Sequence, residues 1–219
     1  MSIVLERLTK IQADIYKSKN KLNRDVKIIA VSKTFPINQV EPLIKGGHIH
    51  FGENKVQEAE KKWHNFKNVN NSIKLHMIGK LQTNKVKKAI KIFDYIHSLD
   101  SIKLADQLNK YEEDTKKKLS YFIQVNFANE KQKSGIPILE VKSFYNYCKN
   151  KTKLNIIGIM CYPPFGLDPT NFFDKAQKLN KELGFEELSM GMSNDFHKAL
   201  DYGSTFLRLG STIFGSRES

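Results

Sequence analysis

"KIIAVSKTFP", residues 27–36, holds the pattern from which the rest of the chain can be read. Ile28, Ile29, Ala30 and Val31 form a short apolar run, as expected of a strand buried on both faces. Ser32-Lys33-Thr34 follows at once, and Pro36 then blocks regular strand pairing and can open a helix. A buried strand that feeds a helix is the unit of a parallel α/β fold. Lys33 stands in the joint. A lone lysine at a strand end ordinarily runs its stem out to water. An amine held partly out of water at the same place is also what a nucleophilic, Schiff-base-forming lysine requires.

The unit repeats along the chain. Strands are expected at 26–32, 49–52, 73–79, 95–99, 121–128, 155–162, 187–192 and 205–210. Amphipathic stretches of helical length fall between them, at 38–45, 56–66, 84–93, 102–117, 138–150, 170–183 and 195–200. Ahead of the first strand, Ile3, Leu5, Leu8, Ile11, Ile15 and Tyr16 give a leading helix its apolar stripe. Eight strands alternating with helices predict a single (β/α)8 TIM barrel over residues 1–219, with an extra N-terminal helix covering the place of a final one. A doubly wound open sheet is the alternative, because strand order is not written in the sequence.

Composition narrows the classes. Of the 219 residues 40% are hydrophobic, enough for one core, and the two cysteines, Cys148 and Cys161, fit neither a metal motif nor a disulfide framework. That usage suggests a reducing, cytoplasmic setting. No stretch has the apolar length of a membrane span or the uninterrupted run of a signal peptide. A net charge of +13 raises nucleic acid as a partner, yet the lysines are spread over nearly every amphipathic segment, and most of the 14 phenylalanines sit in apolar runs. Solvated helix faces account for the charge better. The six histidines show no zinc spacing, His48 and His50 having no third ligand in register, so no metal is expected.

In a barrel the functional residues gather where strands end. Lys33, Glu53 and Asn54, "GKLQTNK", Asp100, "MCYPPFG", "GMSND" and Arg208 with "LGSTIFG" all fall there. Two of these endings suit a phosphate. In "MGMSNDF", Ser193 precedes a short helix, where helix capping is the plainer role for it, and in "RLGSTIFG", Gly210 allows close backbone approach beside the hydroxyls of Ser211 and Thr212.

"AVSKT.P", "HFGEN", "H.IG.LQTNK", "KSG", "GIM", "LSMGMSND" and "RLGSTIFG" occur in that order over residues 30–215. Together they resemble the YggS/PROSC family, the pyridoxal-phosphate homeostasis proteins. The resemblance implies a single-domain barrel of fold type III, similar to the N-terminal domain of alanine racemase, and so favours the barrel over the open sheet. It implies pyridoxal 5′-phosphate as cofactor, with Lys33 as the Schiff-base lysine and Asn54 beside the ring. Ser193, Gly210 and Ser211 would cradle the phosphate, Arg208 would face the pyridine nitrogen, and Met160, His76 and Ile78 would line the pocket. The implied role is to buffer and deliver the cofactor, with apo-enzymes as recipients and a monomer as the form, rather than to catalyse. An amino-acid racemase is the rival reading, but the acid–base tyrosine of such enzymes comes from an additional domain for which this sequence leaves no room. Departures from the pattern are Phe35 in place of a frequent lysine, Lys80 in place of proline or histidine, Ser211 in place of threonine, and Cys161, a packed or a reactive thiol where small residues are usual.

Overall fold

The apolar runs become eight parallel strands in a computed structural model, which describes residues 2–19, 25–69, 71–128 and 134–215. They are β1 (Lys27–Val31), β2 (His50–Glu53), β3 (Lys74–Met77), β4 (Tyr95–Leu99), β5 (Ser120–Asn126), β6 (Asn155–Cys161), β7 (Glu187–Met192) and β8 (Phe206–Leu209). Their order is β4-β3-β2-β1-β8-β7-β6-β5, and β4 pairs back onto β5, so the sheet is a closed barrel and not the open alternative. A two-residue strand, Ile136–Pro137, adds to the end of β5 and has no counterpart in the sequence reading. Lys133 of the "KSG" motif lies outside the described residues.

The helices follow the expected alternation with shifted ends. They are α1 (Ile3–Lys19), α2 (Ile37–Lys45), α3 (Val56–Val69), α4 (Val86–Ile92), α5 (Ile102–Thr115), α6 (Val141–Lys151), α7 (Thr170–Glu182), α8 (Phe196–Asp201) and the short α9 (Ser211–Phe214). Single 3-10 turns, Thr83–Lys85 and Ile138–Glu140, lead into α4 and α6 where continuous helix was expected. Helix α5 stops short because Lys116 takes a left-handed conformation, φ 57°. On α1 the buried stripe is Val4, Leu8, Ile11 and Ile15, while Ile3 and Tyr16 are 60% and 70% exposed. The expected stripe is therefore too wide, since α1 packs mainly on α2 and α9 and both Ile3 and Tyr16 meet water.

Strand alternation divides the core into two layers. Ile28, Ala30, Phe51, Leu75, Met77, Ile96 and their equivalents face outward onto the helices. Ile29, Phe122, Met160 and Phe206 face inward and fill the barrel. Beside them His76 and His97 are fully buried, stacked on Tyr95 and Phe122 respectively. Desolvation holds both imidazoles well below their ordinary value of 6.5, and His48 and His50 at the N-terminal mouth are lowered to about 4.

One outward carboxylate locks β1 to β2 and α3. Glu53 is fully buried, and its Oε1 accepts from Ser32 Oγ (2.7 Å), Lys62 Nζ (2.9 Å) and Trp63 Nε1 (3.0 Å). Lys62 also donates to the Ser32 carbonyl at 2.8 Å, so the chain leaving β1 is gripped through both backbone and side chain. A buried carboxylate is tolerated only with such partners.

Two stability tests come from these buried groups. Each interior histidine takes up a proton in the unfolded chain below pH 6.5 but stays neutral when folded, so stability is complete above 6.5 and declines as pH falls toward 4. The slope is about 1.4 kcal/mol per pH unit for each fully buried histidine. Urea midpoints should drop between pH 7 and 5, and His97→Gln should flatten that drop by about one proton. Lys62→Met should cost about 3 kcal/mol in the same assay by stranding the Glu53 charge, and the further change Glu53→Gln should restore part of it.

Candidate functional site

The loops that follow the strands wall an open cavity of about 1140 Å³ at the C-terminal end of the barrel. β1 places Ile29 and Val31 inward, and Lys33 continues the same alternation into the cavity wall. Lys33 is half-buried and sits in a turn two residues beyond the strand, not on the strand end itself. Its neighbour Thr34 is left-handed, φ 68°, an unfavourable conformation for a β-branched residue. Glu58 of α3 secures it by accepting the Thr34 N–H at 2.6 Å. The turn carrying Lys33 is thus pinned by Glu53, Glu58 and Lys62, and backbone strain held in this way is a mark of functional positions.

Asn54 follows β2 into the cavity wall, and the chain leaving β3 passes close against it. A Cβ on Gly79 would stand 2.5 Å from the Asn54 carbonyl oxygen, so only glycine fits there. Ile78 and Met160 both line the cavity. His76 does not. It lies on the same face of β3 as Ile78 but one step deeper, where the barrel interior encloses it completely.

Ser193 acts between loops rather than as a helix cap. Its Oγ accepts the N–H groups of Gly210 and Thr212, each at 3.2 Å, which ties the end of β7 to the end of β8. Asp195 occupies the residue before α8 without capping it, and its carboxylate takes the Met192 N–H at 2.6 Å. Gly210 and Ser211 line the cavity beside Ser193. The Thr212 hydroxyl oxygen is buried with no hydrogen-bond partner among the described residues.

Arg208 reaches the cavity from inside the barrel. It is 5% exposed, donates from Nη1 to Ser189 Oγ (2.7 Å) and from Nη2 to the Cys161 carbonyl (2.9 Å). Burial pulls its value down, but an arginine remains a cation and only donates. Cys161 is fully buried in the outer layer as a packed side chain, and burial pushes its thiol up to about 12. Phe35 stacks on Phe214 at 4.7 Å and joins the Lys33 loop to α9, while Lys80 stands exposed on the cavity rim.

Several wall residues escaped the sequence reading. Gln124 and Asn126 line the cavity from β5, alternating with outward Ile123 and Val125, a signal the "FIQVN" pattern does carry. The 162–169 loop overhangs the opening, with Asp168 paired to Lys198 at 2.8 Å. That contact depresses the Asp168 carboxyl to about 2. Ser189, within "LSMGMSND", touches Arg208 from behind, while Glu58 and Lys62 hold Thr34 and Ser32 on either side of Lys33, and no local motif distinguishes those two. The site therefore offers an amine, a guanidinium and the hydroxyls of Ser193 and Ser211 around one cavity, a donor set suited to a small anionic molecule.

Comparison with known proteins gives a consistent picture. Residues 7–218 match the family model of the alanine racemase N-terminal domain. The chain is 35% identical over 215 residues to the pyridoxal phosphate homeostasis protein of Haemophilus influenzae, covering 92% of this chain and 89% of that protein. It is 34% identical over 231 residues to the protein of the same name from Vibrio alginolyticus, covering 100% and 99%. Among solved structures, PipY of Synechococcus elongatus with PLP bound superposes with a TM-score of 0.86 at 31% identity, over 97% of this chain and 100% of PipY. An alanine racemase of Clostridium difficile shares the fold at 15% identity and a TM-score of 0.71, over 92% of this chain and 55% of the racemase. With agreement in both sequence and architecture over nearly its whole length, this chain belongs to the pyridoxal phosphate homeostasis protein family, built on the alanine racemase N-terminal domain.

Proposed function

We propose that this protein binds pyridoxal 5′-phosphate at Lys33 and serves as an intracellular buffer that hands the cofactor to apo-enzymes, without turning over amino acids. The observation that carries the reading is the convergence of Lys33, Arg208 and the Ser193–Gly210–Ser211 corner on one cavity. A Cβ on Gly210 would meet nothing of the protein nearer than Val31 at 3.6 Å, so that side of the glycine opens toward the cavity. The donor set fits the group: an amine for an aldehyde, hydroxyls and amides for a phosphate, and a guanidinium for a ring-nitrogen acceptor.

Bound pyridoxal phosphate supplies a reactive aldehyde and an electron-withdrawing ring. Lys33 provides the attacking amine, fixed in direction by the strained Thr34 turn and its anchors on α3. Arg208 only donates hydrogen bonds and holds its proton, so facing a ring nitrogen it would leave that atom unprotonated and the ring a weaker electron sink. A weaker electron sink disfavours routes that lean heavily on the ring, such as transamination. Asn54, Ile78 and Met160 line the cavity and would wall the ring. The whole chain acts as one domain and as a monomer in this reading, in a reducing cytoplasm where the buried thiols of Cys148 and Cys161 stay free. Among the described residues no helix is long and apolar enough to cross a membrane.

Borohydride reduction of the loaded protein, followed by peptide mass spectrometry, should place the cofactor on Lys33, and Lys33→Ala should abolish both the adduct and the visible absorbance band. An undiminished adduct in Lys33→Ala overturns the assignment. Mixing the loaded protein with a pyridoxal-phosphate-dependent apo-enzyme should restore that enzyme's activity, and failure to do so removes the delivery role. Racemisation of an amino acid by the purified protein would replace the reading with an enzymatic one.

A further inference from the structure

A file of polar side chains crosses the barrel beneath the cavity. His50 Nδ1 lies 2.9 Å from His76 Nε2, His76 Nδ1 lies 2.9 Å from His97 Nε2, and His97 Nδ1 lies 2.9 Å from Ser189 Oγ. Ser189 Oγ then accepts from Arg208 Nη1 at 2.7 Å. At the opposite mouth, His50 borders a second cavity of about 320 Å³ whose walls include Asp25, Lys27 and His48. The file therefore joins the two ends of the barrel.

Arg208 presents an electrostatic problem that this file answers. Its charge is buried, and its hydrogen-bond partners among the described residues are a serine hydroxyl and a carbonyl, not a carboxylate. A buried charge needs an offset. Burial keeps the three imidazoles neutral, and Lys27 and Lys74 around the His50 end further discourage an imidazolium against the weaker pull of Asp25 and Asp94. A neutral imidazole has one N–H and one lone pair, so the direction of one link dictates all the others.

Arg208 sets that direction. It only donates, so Ser189 Oγ must accept, and the hydroxyl proton must then go elsewhere. Among the described residues the acceptor within reach is His97 Nδ1. His97 then donates from Nε2 to His76 Nδ1, and His76 from Nε2 to His50 Nδ1, which leaves an N–H on His50 Nε2. In this arrangement the negative end of every dipole faces the guanidinium. The reverse arrangement turns the N–H groups toward the cation and strands the Ser189 proton in the interior.

We propose that Ser189, His97, His76 and His50 form a polarised array, each histidine protonated on Nε2, that takes the place of a carboxylate as the counter-charge of Arg208 and positions its guanidinium for the cofactor. The four are positioning residues. Asp195 on the same cavity attracts the guanidinium from a distance, but among the described residues no carboxylate touches it, and the array supplies the contact. The tautomers exist with or without cofactor, and only the effect on the bound ring rests on the function proposed above.

Nitrogen NMR on the cofactor-free protein with labelled histidine tests the array directly. His50, His76 and His97 should all be neutral with the proton on Nε2. A proton on Nδ1 of any of them overturns the proposal, a result that needs no variant to fold. Arg208→Met should remove the bias and give mixed tautomers, and an unchanged pattern in that variant rules out Arg208 as its cause. In the loaded protein, Ser189→Ala should shift the absorbance maximum while the amount fixed on Lys33 by borohydride stays the same, and Ser189→Thr should restore the maximum. An unshifted Ser189→Ala spectrum overturns the positioning role. If no cofactor binds Lys33 at all, the function reading fails, and the tautomer measurement still decides the array.

Discussion

The closure of β4 onto β5 is the constraint on which the rest of this molecule depends. Tyr95, Ile96 and Leu99 pair with Ser120, Tyr121 and Ile123, which removes the last two free edges of the barrel sheet. Once the ring is closed, every strand has an inside that water cannot reach and an outside that must be covered by helices. All strands run the same way, so all their following loops emerge at one end. Lys33, Asn54, Ser193 and Arg208, far apart in the chain, meet there for that reason.

The closed interior also decides how polar groups are treated. Glu53 faces outward toward α3 and is satisfied by three donors on one oxygen, while its other oxygen has none. Such a carboxylate holds β1, β2 and α3 in a single arrangement, because any shift would strand a charge away from water. The Lys33 turn inherits its rigidity from this anchor, and Glu58 on the same helix sustains the left-handed Thr34. Inside the barrel the same rule produces a different solution, in which Arg208 is met by hydroxyl, carbonyl and imidazole dipoles. The two buried cores of charge lie on opposite faces of the sheet, one fixing the lysine and the other the arginine.

Much of this was legible in the sequence, and the failures have physical causes. "KIIAVSKTFP" and its repeats predict the strands and their partner helices, since apolar runs and breakers are local signals. Lys33, Asn54, Ile78, Met160, Ser193, Arg208, Gly210 and Ser211 all reach the cavity wall because each stands at a strand end. His76 was misplaced because alternation gives a face but not a depth: Ile78, two residues on, clears the barrel rim and His76 does not. Ile3 and Tyr16 were drawn into the α1 stripe because periodicity cannot say how wide a surface the helix will meet. The role of Ser193 as a clasp between loops depended on Gly210 and Thr212, which no local rule sets beside it.

The sequence by itself determined the alternation of buried strands and amphipathic helices, the polar residues at the strand ends, and the motif set that marks the family. These are properties of neighbouring residues, where spacing and residue type suffice. Tertiary structure alone decided which strands adjoin, which inward residues lie at the rim and which below it, and which side chains answer the buried charges of Glu53 and Arg208. Those choices depend on groups such as His97 and Ser189, 92 residues apart in the chain, whose hydrogen bond exists only because closure brings β4 and β7 to face each other across one interior.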